Sequence, residues 1–348
     1  MLTDPSAAND VASQIARLYF DRQLTKVEIA ERLGISRFRV ARLLDQARHV
    51  GLVRIEYRDV PVRDRELAGM LETRFGLDAC AVASRDPQKP NAADEPLAGI
   101  RLTARLAASL LDELVGPGDV VGIAWGSTLA ALVADVGARS EQGRLVVPLA
   151  GGSTRLGQDR DPGGLAGRLA ARWGADHLAL YAPAFVETPA LRDALMREPD
   201  VAAVADAHAR MSLAIVGIGA LSDADAASGS SLVRTGVLGG PDLERALALG
   251  AVGDLVVHAF DREGGFVAPD LAARAVAVST DTLRGTPRVM AVAAGPAKAA
   301  AIVGALRTGV IDLLVTDAAT ASAVAAADDA APRATAARRR PTRSRAAG

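Results

Sequence analysis

Two short helical patterns joined by a tight turn lie within residues 25–47, and this spacing constrains the fold more than any other part of the chain. Thr25 and Glu28 have the spacing of a capping box, and the apolar residues that follow share one helical face. These features predict a first helix over residues 26–33, which Gly34 ends. A second amphipathic pattern follows at once, so the segment is predicted to be a helix-turn-helix.

The second helical pattern carries positive charge on the face opposite its apolar residues. Residues 36–58 contain six arginines and two acidic residues, a balance of +4, whereas the net charge of the whole chain is −1. A recognition helix presents its N-terminal side chains to base edges in the major groove, where a guanidinium can donate two hydrogen bonds. We therefore expect binding to double-stranded DNA through the following residues: Lys26, Ser36, Arg37, Phe38, Arg39 and Arg42.

A short strand is predicted after the second helix. Residues 51–57 begin with a glycine and then alternate apolar and polar side chains, which is typical of the wing in a winged helix-turn-helix. The alternative is an ordinary amphipathic helical pair with a solvated arginine face, or a helix-turn-helix that contacts only protein. The combination of helix cap, turn, basic face and strand favours DNA binding over these alternatives.

The remainder of the chain is too long to be an accessory of this motif. With 348 residues, half of them hydrophobic, there is room for a second core. One cysteine excludes an internal disulfide, no apolar run reaches the length of a membrane span, and no signal-peptide pattern is present, so we expect a cytoplasmic protein. We expect a DNA-binding domain over residues 1–60, a linker helix and loop over 61–96, a larger domain over 97–327 and a disordered basic tail over 328–348.

Short apolar runs alternate with helical patterns from Gly118 onward, which predicts an α/β domain with a parallel sheet and crossover helices. In such sheets the ligand lies at the carboxyl ends of the strands. The expected strands are residues 120–125, 144–149, 177–180, 213–218, 255–259, 288–293 and 313–316.

Three turns after expected strands combine glycine with hydroxyl or amino groups. Backbone amides and hydroxyls at the start of a helix can hold a phosphate. The plain alternative for each turn is helix capping. The turns contribute Gly126, Ser127 and Thr128, then Gly151 and Gly152, and finally Gly295 and Lys298.

Lys298 and Asp254 are the charged candidates of this region. A lysine is unfavourable at a helix N-terminus, so its presence suggests an anion between it and the amides. Asp254 is a carboxylate acceptor suited to a sugar hydroxyl. The alternatives are an exposed lysine without a role and an aspartate that only holds a loop. Asp317 precedes a helix and is expected to be a cap.

Catalysis is weakly supported by the sequence. The four histidines have no metal-ligand spacing, and no Ser-His-Asp or paired-carboxylate arrangement can be assigned. We therefore expect no cofactor, no metal and no catalytic residue. An enzyme remains the alternative, with Asp254 as a possible base.

The chain resembles the SorC family of bacterial transcriptional regulators, also called DeoR-type sugar-binding regulators. The resemblance covers almost the whole chain and rests on EIAERLGISRFRVARLLDQAR, GLVRI, GIAWGSTLAALV, VVPLAGG, LAIVGIGAL, GAVGDLVVHAFDREGGFV and VMAVAAGPAKAAAIVGALRTGVIDLLVTDAATA.

The resemblance implies a winged helix-turn-helix joined to an effector domain similar to sugar-phosphate isomerases and deaminases. It implies that Ser127 and Thr128 hold a phosphate, that Gly151 and Gly152 form a second loop, that Asp254 contacts sugar hydroxyls and that Lys298 is a basic anchor. Family members are dimers or tetramers that bind palindromic operators. The function expected is a transcriptional regulator whose operator affinity is controlled by a phosphorylated sugar. The alternative is a sugar-phosphate isomerase or deaminase that carries a DNA-binding domain.

Some positions depart from the family pattern. Ala294 replaces the first glycine of a double-glycine turn, and Ala318 replaces an acidic residue. Ala150 stands where a member that binds a bisphosphate has an arginine, and residues 221–233 contain no basic side chain. These departures favour a monophosphate as effector. We expect the effector to relieve repression, although activation needs only the opposite difference in affinity.

Overall fold

The computed structural model describes residues 5–53, 61–84, 98–139, 143–157, 160–221 and 229–330. The chain divides into two compact units, Met1–Asp59 and Val60–Gly348. The predicted wing strand, residues 51–57, falls largely on residues outside the described ranges, and most of the predicted basic tail also lies outside them.

The first unit contains three helices, α1 (Pro5–Phe20), α2 (Lys26–Leu33) and α3 (Arg37–His49). The predicted capping box starts α2: the Glu28 backbone amide donates to Thr25 Oγ1 over 3.3 Å, and the Thr25 amide donates to the Glu28 carboxylate over 2.8 Å. Gly34 ends α2 with a φ of 63°, a left-handed conformation that glycine adopts without strain.

A small apolar core holds the three helices together. Its side chains come from one face of each helix, as the apolar spacing predicts, so the opposite face of α3 is left to solvent. The buried members are Ala12, Ile15, Ala16, Ile29, Ala30, Val40, Leu44 and Ala47.

The second unit is built on an eight-stranded sheet with the order β1-β2-β11-β10-β6-β3-β4-β5 and a three-stranded antiparallel sheet with the order β7-β8-β9. All neighbours in the larger sheet are parallel except β1 and β2. The strands are β1 (Val62–Arg63), β2 (Ala79–Ser84), β3 (Val120–Ile123), β4 (Leu145–Pro148), β5 (Asp176–His177), β6 (Leu213–Val216), β7 (Ile218–Ala220), β8 (Ala251–Leu255), β9 (His258–Asp261), β10 (Arg288–Val292) and β11 (Leu313–Asp317).

Helices alternate with the strands along the chain, and the structure also has two short 3-10 turns, Thr154–Leu156 and Pro296–Lys298. The helices are α4 (Arg65–Phe75), α5 (Ala98–Leu114), α6 (Ser127–Asp135), α7 (Pro162–Trp173), α8 (Pro189–Met196), α9 (Pro199–Ala209), α10 (Ser231–Arg234), α11 (Gly240–Ala248), α12 (Pro269–Ala272), α13 (Thr280–Gly285), α14 (Ala299–Arg307) and α15 (Ala318–Asp329).

Two features of this unit differ from the sequence prediction. The strand expected over residues 255–259 is wrong, because that apolar run spans the turn between β8 and β9, where Val256 has a φ of 61°. The stretch expected to be a linker helix and loop, residues 61–96, contains that helix as α4 and also supplies β1 and β2 in its described part. Since β2 pairs with β11, this stretch belongs to the larger sheet.

Close packing of α14 on the β8–β9 hairpin depends on Gly304. A Cβ added at Gly304 would lie 2.6 Å from the Asp261 carbonyl oxygen, which is backbone and cannot rotate away. Gly69, in α4, has nothing within 4 Å of an added Cβ. Close packing therefore excludes a side chain at Gly304 but not at Gly69.

We predict that Gly304→Ala lowers the free energy of unfolding by about 1–3 kcal/mol, because the hairpin must shift to admit the methyl group. Gly69→Ala is the matched control and should raise it by about 0.5–1 kcal/mol, since alanine favours the helix. Urea denaturation followed by circular dichroism measures both. Equal effects from the two substitutions would contradict the packing described for α14.

Candidate DNA-binding surface and effector site

The basic face of α3 is open to solvent. All the residues predicted to bind DNA are exposed, and Phe38 keeps 70% of its surface accessible although it is aromatic. The Arg37 guanidinium lies 5.0 Å from the centre of the Phe38 ring, a cation–π contact. Ser36 Oγ accepts a hydrogen bond of 3.2 Å from the Arg39 amide and so also caps α3.

The order of the larger sheet reverses between β3 and β6. From β3 the chain adds β4 and β5 on one side, and then β6, β10 and β11 on the other. A parallel α/β sheet has a crevice at the carboxyl ends of the strands on either side of such a reversal. Gly126 follows β3 at this edge, Gly217 follows β6, and Gly295 follows β10.

The turn after β3 places the N-terminus of α6 at the crevice. Gly126 is the N-cap residue of α6 with a φ of 133°, and no side chain caps this end. Ser127 and Thr128 open the helix, with Thr128 buried. An uncapped N-terminus has backbone amides without intrahelical acceptors and a partial positive charge, so it favours an anion.

The turn after β4 does not offer the bare backbone that the sequence suggested. The Gly151 amide donates to the Val276 carbonyl over 2.8 Å, and the Gly152 amide donates to the Ala182 carbonyl over 2.9 Å. A Cβ at Gly151 would lie 2.5 Å from the Ala182 carbonyl oxygen, so close approach of two backbone segments explains this glycine. The expectation of free amide donors in this loop is therefore corrected.

The turn after β10 is held by a hydrogen bond to α15. The Gly295 amide donates to Thr320 Oγ1 over 2.8 Å, and that hydroxyl donates to the Asp317 carboxylate over 2.6 Å. Asp317 also accepts from the Thr320 amide over 3.0 Å, so it is a helix cap as predicted. Gly295 has a φ of 114°, which positions the following 3-10 turn and Lys298.

Lys298 reaches across the crevice to the segment after β6. Its Nζ donates a hydrogen bond of 3.1 Å to the Ile218 carbonyl oxygen. Burial lowers the pKa of Lys298, Asp254 raises it, and Arg234 lowers it further. The ammonium therefore lies in an electrostatic environment shared with one carboxylate and one further cation.

Asp254 lies on β8 opposite Gly219 of β7. A Cβ at position 219 would overlap Asp254 Oδ1, so only glycine leaves room for the carboxylate there. The side chain is 4% exposed, Ser230 lies beside it, and Oδ1 has no hydrogen-bond partner among the described residues. Burial raises the pKa of Asp254 to about 6, although Ser230 and Lys298 act in the opposite direction.

Three residues of this site were missed from the sequence. Ser230 and Gly219 contact Asp254 from segments that the chain order does not bring together. Arg234, the last residue of α10, is the cation whose charge lowers the pKa of Lys298. The second glycine of GIGAL could have indicated Gly219, but nothing in the sequence pairs Ser230 or Arg234 with the site.

Other polar groups of this unit have structural roles. His208 and His258 are buried, and each hydrogen-bonds a backbone carbonyl over 2.8 Å, of Pro148 and Val278 respectively. Burial lowers the pKa of both histidines. A cavity of about 270 Å³ lined partly by Arg192, His258 and Phe266 contains none of the predicted effector residues.

The described ranges contain no cluster of three or more His, Cys, Asp or Glu side chains that could hold a metal ion. No helix within them is long and apolar enough to cross a membrane.

Family comparisons match both units. Residues 60–326 match the family described as "Putative sugar-binding domain", and residues 9–50 match sigma-70 region 4. The sorbitol operon regulator of Klebsiella pneumoniae is 30% identical over 88% of this chain and 95% of its own length. The erythritol catabolism regulatory protein EryD of Brucella abortus is 30% identical over 91% of this chain and 97% of its own.

Solved structures support the same assignment. Full-length SorC from Klebsiella pneumoniae matches with a TM-score of 0.67 and 26% identity over 91% of this chain and 99% of that one. A sugar-binding domain of a transcriptional repressor from Vibrio fischeri matches with a TM-score of 0.64 and 27% identity over 76% of this chain and 100% of its own.

The predicted fold class, a helix-turn-helix with a larger α/β domain, is confirmed. The relatives are named as regulators, which confirms a regulator rather than an enzyme. The chain belongs to the SorC family of sugar-binding transcriptional regulators.

Proposed function

We propose that this regulator senses a phosphorylated sugar or polyol in the crevice of its larger unit and changes its affinity for a palindromic DNA operator in response. The observation that carries this proposal is the Asp254 carboxylate, buried with one unpartnered oxygen beside the Lys298 ammonium. A buried polar atom without a partner costs free energy unless a ligand completes it. The site is therefore suited to a ligand with both a hydroxyl group and an anion.

The phosphate is assigned to the N-terminus of α6. Ser127 and Thr128 supply hydroxyls and backbone amides there, and Lys298 supplies positive charge from the neighbouring turn after β10. Gly126 and Gly295, both with positive φ, let the two turns bring backbone close to the ligand. Gly151 and Gly152 are assigned to the shape of the crevice, because their amides are already bonded.

The sugar hydroxyls are assigned to Asp254. Its Oδ1 can accept a hydrogen bond from a sugar hydroxyl without losing another bond, since it has no partner among the described residues. Two relatives are a sorbitol operon regulator and an erythritol catabolism regulatory protein, so a polyol or sugar derivative is the ligand class that we propose. A chain of hydroxyl groups suits a carboxylate acceptor better than an apolar ligand does.

DNA binding is assigned to α3 and the start of α2. Arg37, Phe38, Arg39 and Arg42 would face the major groove, with Lys26 at the phosphate backbone. We propose a cytoplasmic homodimer or homotetramer, because a palindromic operator needs two such surfaces. Effector binding would change operator affinity by about 5- to 150-fold, the usual range of allosteric coupling, and would release the protein from DNA.

Replacing Arg39 with alanine should weaken binding to the operator by about tenfold or more and relax sequence preference, because a base-contacting guanidinium is lost. Fluorescence anisotropy with a genomic fragment flanking the gene, compared with random DNA at several salt concentrations, measures this. Arg197→Ala removes the same charge from an exposed position outside α3 and should leave both affinities unchanged. Equal losses in the two variants would refute the assigned DNA surface.

Replacing Lys298 with methionine should leave operator affinity unchanged without effector and should raise the sugar-phosphate concentration that releases DNA by at least about tenfold. The reason is that methionine keeps most of the apolar part of the side chain and lacks the ammonium group. A titration of the protein–DNA complex with phosphorylated sugars gives the release midpoint. Release at the parent's midpoint would show that the anion lies elsewhere.

The raised pKa of Asp254 predicts a pH dependence of stability. In the folded protein this carboxyl stays protonated up to about pH 6, whereas in the unfolded chain it ionises near pH 4. Its favourable contribution is therefore present at low pH and is lost as the pH rises through about 6. The melting temperature of the ligand-free protein should fall over this window, and the fall should be smaller in Asp254→Asn. Identical pH profiles for both proteins would contradict the buried, unpartnered carboxylate.

A further inference from the structure

Helix α15 contacts the proposed effector site near its N-terminus and α4 near its C-terminus. At the first end, Thr320 Oγ1 accepts from the Gly295 amide over 2.8 Å, and Gly295 begins the turn that leads to Lys298. At the other end, Arg74 of α4 donates to the Ala325 carbonyl oxygen over 2.8 Å. One helix of 12 residues therefore connects the effector turn to α4.

Arg74 makes further contacts with the end of α15. Its Nη1 lies 3.0 Å from the Asp329 carboxylate and 3.8 Å from the Asp328 carboxylate. The last turn of a helix carries a partial negative charge, so two aspartates there are unfavourable by themselves and cations are favourable. The arginine from α4 therefore compensates a charge arrangement that α15 alone would not favour.

A second arginine joins α15 to the helix that follows Lys298. Arg307, the last residue of α14, donates to the Asp328 carboxylate over 2.8 Å and to the Arg262 carbonyl oxygen over 3.1 Å. Arg262 in turn donates to the Ala327 carbonyl oxygen over 2.9 Å. Since α14 begins directly after Lys298, the two helices attached to the effector turn end at the same group of charges.

Arg74 belongs to the helix near the point where the chain enters the larger unit. The boundary between the two compact units falls between Asp59 and Val60, and α4 begins at Arg65. Any effect that the covalent chain carries from the effector site to the DNA-binding unit must therefore pass through the stretch that contains β1 and α4.

The contacts of Arg74 are more accessible to water than the bond between α14 and α15. The Arg74 side chain is 28% exposed and that of Asp329 is 61% exposed, whereas Arg307 and Asp328 are both half-buried. An ion pair that water reaches contributes little to stability. The contact between α4 and α15 can therefore be broken and remade without unfolding the unit.

We propose that Arg74 is a positioning residue through which α15 transmits the state of the effector site to α4 and so to the segment that leads to the DNA-binding unit. This proposal rests on the proposed function and adds the route of its regulation. A ligand held by Gly295 and Lys298 favours one position of the turn after β10, and α14 and α15 move with that turn. The change reaches α4 through Arg74, which itself contacts neither the effector nor DNA.

The test is Arg74→Gln in the full chain, which removes the charge and the guanidinium. Operator affinity without effector and effector affinity without DNA should both stay unchanged, because Arg74 lies in neither proposed site. The ratio of operator affinities without and with saturating effector should fall by about twofold or more. Fluorescence anisotropy of the genomic fragment, with fructose 6-phosphate, glucose 6-phosphate and sorbitol 6-phosphate in turn, gives the ratio, and calorimetry gives the effector affinity.

Arg192→Gln is the matched control. Arg192 is also partly exposed, and it also bonds one carbonyl oxygen, of Ala275 over 3.4 Å, and one carboxylate, of Asp193 over 2.8 Å. It lies on α8, away from α4 and α15, so its loss should leave the ratio unchanged. An unchanged ratio in Arg74→Gln, or an equal fall in the control, would overturn the role of Arg74 and leave the proposed function intact.

A second measurement needs no ligand. If α15 connects the two ends, Arg74→Gln should speed hydrogen exchange of the Gly295 amide, which Thr320 holds at the far end of the helix, by about twofold or more. Faster exchange confined to residues 325–330 would show a local contact only and would overturn the proposal. If none of the three compounds changes the operator affinity of the parent, the proposed function is contradicted, and hydrogen exchange still decides whether Arg74 and the effector turn are connected.

Discussion

A buried carboxylate with one unpartnered oxygen is the constraint around which the effector unit is arranged. Removing Asp254 from water disfavours its charged form, and among the described residues Ser230 and Lys298 act in the opposite direction. Gly219 is needed opposite it because any side chain there would overlap Oδ1. Several residues are thus committed to keeping an unfavourable group in place, which is typical of binding sites and uncommon in cores.

The parts of the fold set by local patterns could be predicted from the sequence. The bounds of α2 follow from a capping box and a terminal glycine, and β3, β10 and β11 follow from short apolar runs between helical patterns. Gly126 and Lys298 could be selected because a strand-to-helix turn has a known chemistry. Each of these features depends on residues that are close together in the chain.

The parts that depend on tertiary pairing could not be predicted. Strand β2 has small and mixed side chains and becomes a strand through its pairing with β11. The apolar run at residues 255–259 resembles a buried strand in sequence, although it spans a tight turn whose side chains are buried. Free and occupied amides also look identical in a sequence, and only the bonds of Gly151 and Gly152 to Val276 and Ala182 distinguish them.

The arrangement of the site suggests how ligand binding becomes a change in shape. The groups at the ends of β3 and β10 are fixed by parallel strand pairing and by the hydrogen bonds that join Gly295, Thr320 and Asp317. On the other side of the carboxylate, Ser230 begins α10, a helix of one turn whose Leu232 side chain is buried in the core. Because a ligand shifts an equilibrium only by its difference in affinity between two states, a ligand that contacts both the strand ends and the segment of Ser230 favours the state in which both contacts are made. The free energy for regulation would then come from completing the unpartnered oxygen of Asp254, while the groups at the ends of β3 and β10 hold the anion.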